Sequence, residues 1–177
     1  MRHNLRRFRK LSDGERARAL AFSLVGFSSG VLGYLAVLHL DGAALFEPLS
    51  AYQKWIICAS VIGGLTALFL SGDKMGQDGL HGILRGLAGA LWVTFIGALI
   101  GGTLALPLYG TMFGPFIVTV TLLGAPMLAA LWFCNMVGVH ILLGIYQRER
   151  DSIFTVDRMT IPDHPDSLSM RMRRRHI

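Results

Sequence analysis

Apolar and polar positions segregate along this chain on the scale of whole helices. Four runs are free of charge in their interiors, over about 20–40, 54–71, 84–106 and 113–146. At ~1.5 Å rise per residue a helix of ~20 residues crosses a hydrocarbon core of ~30 Å. The pattern therefore predicts an all-α, polytopic membrane protein with four transmembrane helices. The second run is somewhat short, so Lys54 is expected to snorkel outward along its own stem. The first run is longer than a signal-peptide h-region and lacks a small-x-small end, so it reads as an uncleaved anchor.

The polar intervals punctuate these runs. Ser12-Asp13-Gly14-Glu15 places Glu three residues after Ser, a capping box that predicts a helix start near Asp13. Before it, Leu5, Phe8 and Leu11 recur among basic residues, as in a short helix lying on an anionic leaflet. Tyr52 and Trp55 precede the second run and Tyr109 follows the third, where amphipathic rings favour the headgroup zone. Pro107-Leu108-Tyr109-Gly110 reads as a tight turn.

The run over 113–146 exceeds one span and contains Pro126. Two short spans meeting there would need a turn of Leu123-Gly124-Ala125-Pro126-Met127, which offers water no polar side chain. They would also put the two basic tails on opposite sides, against the positive-inside bias. One tilted helix kinked at Pro126 is therefore expected, with four spans and both termini cytoplasmic. The chain then divides into a basic amphipathic segment over 1–19, a membrane domain over 20–146 and a basic cytoplasmic tail over 147–177.

Charge supports that orientation. Residues 1–20 hold seven Lys or Arg against two acids, and residues 147–177 hold seven Arg against five. Fourteen of the seventeen basic residues thus flank the apolar runs. Arg6, Arg7, Arg9 and Lys10 at one end, and Arg173, Arg174 and Arg175 at the other, are expected to meet anionic lipid headgroups or a partner. No aromatic residue interleaves with the terminal arginines to stack bases, so nucleic acid is not an expected partner. A cell membrane of the bacterial inner-membrane type is the expected location.

The glycines, 21 of 177 residues, lie inside apolar runs. Pairs four apart occur at Gly26 and Gly30, Gly82 and Gly86, Gly97 and Gly101, and Gly110 and Gly114. Each pair sits on one helical face and lets a neighbouring backbone come close, either within the bundle or from a separate membrane subunit. The segments starting at Ile62 and Ile100 agree at seven of eleven positions, but the Gly pairs fall at different depths, so this reads as chance rather than duplication. Cys58 and Cys134, each in an apolar run, read as small buried residues.

Candidate chemistry within the spans is sparse. No Asp or Glu occupies their central thirds, whereas ion-coupled pumps and proton relays use intramembrane carboxylates. Asn135 and His140 are the intramembrane polar residues, ~140° apart around a helix and so not one stripe. Asn135 is expected to make an interhelical hydrogen bond. His39 and His140 fall at opposite ends of their spans and cannot share one iron, so no cofactor, catalytic residue or metal site is expected. The expected function is a non-catalytic accessory or assembly subunit of a larger membrane complex. The alternative is a small transporter subunit or homo-oligomeric channel, with Asn135, Thr94, Thr119 and Thr121 along a polar path. A surface enzyme would have to use His81, Asp73 and Asp78, which more simply form a polar turn.

Overall fold

The computed structural model describes the backbone over 12–41 and 48–159, with side chains over 12–39 and 48–152. The basic residues singled out at either end, Arg6 to Lys10 and Arg173 to Arg175, lie outside the described residues, as do Leu5, Phe8 and Leu11. Within them the chain is helical: α1 Asp13–Asp41, α2 Ala51–Ser71, α3 Gly79–Ala105, α4 Tyr109–Gly124 and α5 Pro126–Met159, with a single 3₁₀ turn at Gly72–Lys74. Four of the five are long and apolar enough to cross a membrane, and α4 is shorter. No strand occurs among the described residues.

Local chemistry sets the helix starts. Ser12 and Glu15 form the reciprocal hydrogen bonds of a capping box, each 3.1 Å. Ser50 and Gln53 do the same for α2, which therefore begins in the loop, one turn before the apolar run. At the α3–α4 junction Leu108 takes φ 71° and ψ −61°, and the Tyr109 amide donates to the Pro107 carbonyl at 3.0 Å. This is a γ-turn with positive φ, a strained conformation for a side chain with a Cβ.

The apolar run over 113–146 is not one kinked helix. It is carried by α4 and α5, which part at Ala125, whose φ of −131° and ψ of 86° are not helical. Proline clashes with the residue before it and disfavours the helical conformation there, whereas Pro itself suits the first helical position. Pro126 therefore ends one helix and starts the next. Pro115, by contrast, sits inside α4, and its carbonyl accepts the Thr119 hydroxyl at 2.8 Å.

The long helices run antiparallel to their neighbours: α1 packs on α2 and α5, and α3 on α2 and α4. Asn135 pairs with Ser28, Tyr146 with Arg18, and Glu149 with the Gly14 amide. Carried back along both helices, that register sets Pro126 near the level of Val37, about one turn from the end of α1. Since α4 begins beside the end of α3, both of its ends lie toward the same end of the bundle. The start of α1 and the end of α5 lie together at the opposite end.

The core is built from small and medium side chains, among them Ala21, Val25, Ala67, Val93 and Val139, around Leu68 and Met75. The outward surface is the more apolar one, with Phe27, Phe69, Leu84, Phe116 and Leu131 at least half exposed. A soluble protein would bury such side chains, whereas a lipid-facing surface requires them. Cys58 and Cys134 also lie on this surface, correcting their reading as buried residues. Each falls on the turn of its helix that faces away from the neighbours, and hydrocarbon accepts a thiol there.

Candidate functional site

The polar α2–α3 connection is drawn into the bundle. Gly76 takes φ +88° and lies with its carbonyl against Gly144 of α5, so close that a Cβ at Gly144 would stand 3.2 Å from it. This conformation and this approach both favour glycine. The neighbouring Met75 is fully buried in the core.

Three side chains of α5 hold the connection. The Gly76 amide donates to His140 Nδ1 at 3.0 Å. Gln147 Nε2 donates to the Met75 carbonyl at 2.6 Å. Arg148 donates to both carboxylate oxygens of Asp78, at 2.5 and 3.2 Å. Positions 140, 144, 147 and 148 share one face of α5, so the helix presents an acceptor, a gap, a donor and a cation in register with one loop. From α3, Arg85 donates to Gln77 Oε1 at 3.1 Å, and the Lys74 ammonium lies 4.5 Å from the Trp92 ring centroid.

His140 acts here as an acceptor through Nδ1, which assigns it the neutral tautomer protonated at Nε2. Its ring lies over Gly86, where an added Cβ would come within 2.5 Å of Cε1. The Asp78 carboxyl is held below its ordinary value of 3.8. The hydrogen bond from Arg148 is the main cause; desolvation works against it, and the charge of Arg148 adds to the lowering.

The same end ties the first helix to the last. Glu149 accepts the backbone N–H of Gly14, setting a carboxylate on the N-terminus of α1, where the helix dipole favours negative charge. Arg18 donates to the Tyr146 hydroxyl at 3.2 Å and stacks over the same ring.

The opposite half of the bundle holds a cavity of about 200 Å³. Its walls come from all five helices, with Ser29 and Ala36 on α1, Gly64 on α2, Gly101 on α3, Val118 on α4 and Trp132 on α5. The chain matches no known family model, no curated protein and no solved structure.

The glycines singled out in the sequence are engaged within the bundle. A Cβ at Gly97 would lie 3.2 Å from Gly64 Cα, and one at Gly101 3.1 Å from the Ala59 carbonyl oxygen. Gly110 and Gly114 lie against Gly102 and Ala98 of α3, Gly82 lies against Gln77, and Gly86 against His140. Gly26 and Gly30 face Leu65 and Val61 of α2 and also border a shallow apolar groove on the outer surface.

Asn135 Nδ2 donates to Ser28 Oγ at 3.0 Å, joining α5 to α1. It and His140 face different neighbours. Of the four residues considered for a polar path, Thr94 lines the cavity, and Asn135, Thr119 and Thr121 do not. Among the described residues no three His, Cys, Asp or Glu side chains converge. His81 and Asp73 are exposed, and Asp78 is engaged by Arg148.

Sequence reasoning missed Gln147 and Arg148, reading them as the start of the tail. The available signal was the polar spacing His140, Gln147, Arg148 with Gly144 between, on one face of α5. The loop end of that pairing, Met75 to Asp78, carries no comparable mark.

Proposed function

We propose that this protein is a non-catalytic membrane subunit that assembles with a larger membrane complex, with both termini and the α2–α3 loop on the cytoplasmic side. The observation that carries the reading is the binding of loop 72–78 by His140, Gln147 and Arg148. Together with the Glu149 contact on α1, it turns that end of the bundle into one preorganised platform from which the two basic segments leave. Preorganised surfaces bind with less ordering cost than mobile ones. The bundle interior offers little for chemistry, since Ser71 is the sole buried polar side chain among the described residues. This reading puts the protein in a cell membrane such as the bacterial inner membrane, with the arginine-rich tails on anionic lipid or on an acidic partner face.

Mild detergent extraction of the tagged protein, followed by mass spectrometry of the intact assembly, tests the proposal. A stoichiometric membrane partner is the expected result. Recovery as a discrete species containing this chain alone would overturn it. Reporter fusions at both termini test the orientation, and a periplasmic signal from either would reverse that part.

A second reading, a small transporter subunit or homo-oligomeric channel, draws on the cavity between the helices. Of the residues named for such a path only Thr94 lines this space, so Thr94→Ala would then reduce solute flux in vesicles, and unchanged flux would remove the reading.

A further inference from the structure

We propose that the cavity in the half of the bundle away from the loop platform takes a segment of a single acyl chain of a bilayer phospholipid. Val25, Val93 and Met136 close its inner end and belong to the core. Tyr52 and Leu106 line its outer end, beside the start of α2 and the end of α3. The space therefore runs along the apolar spans, at depths where the surrounding medium is hydrocarbon. Its weakest wall is α4, which packs closely on α3 and only lightly on α1 and α5.

The chemistry of the lining excludes a polar occupant. Ser28 donates to the Val25 carbonyl and accepts from Asn135. Ser60 donates to Ile56, and Tyr52 to Ala105. Thr94 donates to Ala90 and accepts the Trp132 indole N–H. Ser29 has its hydroxyl over Gly64, a single group that cannot hold a headgroup alone. Water is held in a cavity by about two to four polar partners, which these walls do not offer. An unfilled void would leave its lining without dispersion partners on one side.

Size selects among apolar occupants. The cavity, about 200 Å³, exceeds the ~150 Å³ apolar cavity that stays dry and takes benzene in an engineered protein. A partner helix, ~10 Å across with its side chains, does not fit inside it. A segment of one flexible alkyl chain does, with the rest of the chain left in the bilayer and entry beside α4, where packing on α1 and α5 is light. The proposal is independent of the accessory-subunit reading.

The test uses the full-length protein in phosphatidylcholine vesicles doped with a phospholipid that carries a photoactivatable diazirine in mid-chain. After irradiation, adducts are mapped by peptide mass spectrometry. Labelling several-fold stronger at Ala36, Ile117 and Val118 than at the outward Phe27, Phe69 and Leu131 is expected. Val118→Trp should fill the space and bring the Ala36 labelling down to the outward level. Ile117→Phe serves the same purpose with a smaller change if the first variant does not elute as a folded species. Uniform labelling, or labelling unchanged in a folded filling variant, overturns the proposal. Adducts to a second protein chain in place of lipid also overturn it. So does preferential cavity labelling by a lipid with the diazirine on its headgroup.

Discussion

The imidazole Nδ1 of His140 accepts the backbone N–H of Gly76 across 64 residues of sequence, at 3.0 Å. A backbone donor drawn into the bundle needs an acceptor there, and losing one costs about 1–3 kcal/mol. His140→Leu keeps apolar volume and removes the acceptor. We expect a loss of stability of about that size, read by thermal unfolding in detergent. Amide exchange over 72–78 should rise more than in the core of α2 or α3. Equal exchange in variant and parent would show that the loop does not depend on this bond.

The ring of His140 also occupies the space that a side chain at Gly86 would need. Gly86→Ala should destabilise the parent by about 1–3 kcal/mol, as overpacking does. In a His140→Ala background the same change should cost less. Additive effects of the two substitutions would show that the close contact is relieved without cost.

The Asp78–Arg148 pair makes the loop sensitive to acid. The Asp78 carboxyl is held below 3.8 in the folded protein, chiefly by its hydrogen bond from Arg148. The folded state therefore gains from the ionised carboxylate above 3.8, and loses that gain as the pH falls through the lower folded value. Thermal stability should be flat in this respect at neutral pH and decline on acidification. Asp78→Asn should lower stability at neutral pH and flatten the acid limb. A limb of unchanged steepness would assign it to other groups.

The γ-turn at Leu108 holds a non-glycine residue at φ 71°, a conformation that costs of order 1–3 kcal/mol. The residue is 84% exposed, so replacing its side chain removes little packing. Leu108→Gly should relieve the strain, less the entropy that glycine adds to the unfolded chain. A net gain of up to about 1 kcal/mol is expected. A lower unfolding midpoint would mean that Leu108 contributes through its contact with lipid.

The glycine faces of α2 and α3 bring two backbones together, with a Cβ at Gly101 only 3.1 Å from the Ala59 carbonyl oxygen. Gly101→Val should separate these helices and cost about 3 kcal/mol or more, since backbone cannot move aside as a side chain can. A readout is the hydrogen bond from the Trp55 indole to the Leu104 carbonyl, 3.1 Å, through the Trp fluorescence maximum. No shift in that maximum, with stability retained, would show that the helices reseat without loss.

The sequence alone determined the fold class. Four uncharged runs of spanning length can satisfy their backbone groups in hydrocarbon only as helices, a requirement local to each run. The capping box at Ser12, the tight turn after Pro107 and the packing role open to the glycines were legible for the same reason. The break at Ala125 was only half legible: Pro126 marked the place, but a kink and a helix end use the same residues. Their choice depends on whether the segment before it has a neighbour to pack on, and α3 supplied one through Gly102 and Ala98. The partners of His140, Gln147 and Arg148 depended wholly on tertiary structure. Glycine at 76 and 144 lets two backbones touch, and only that contact brings the Gly76 amide, the Met75 carbonyl and the Asp78 carboxylate within reach of one face of α5.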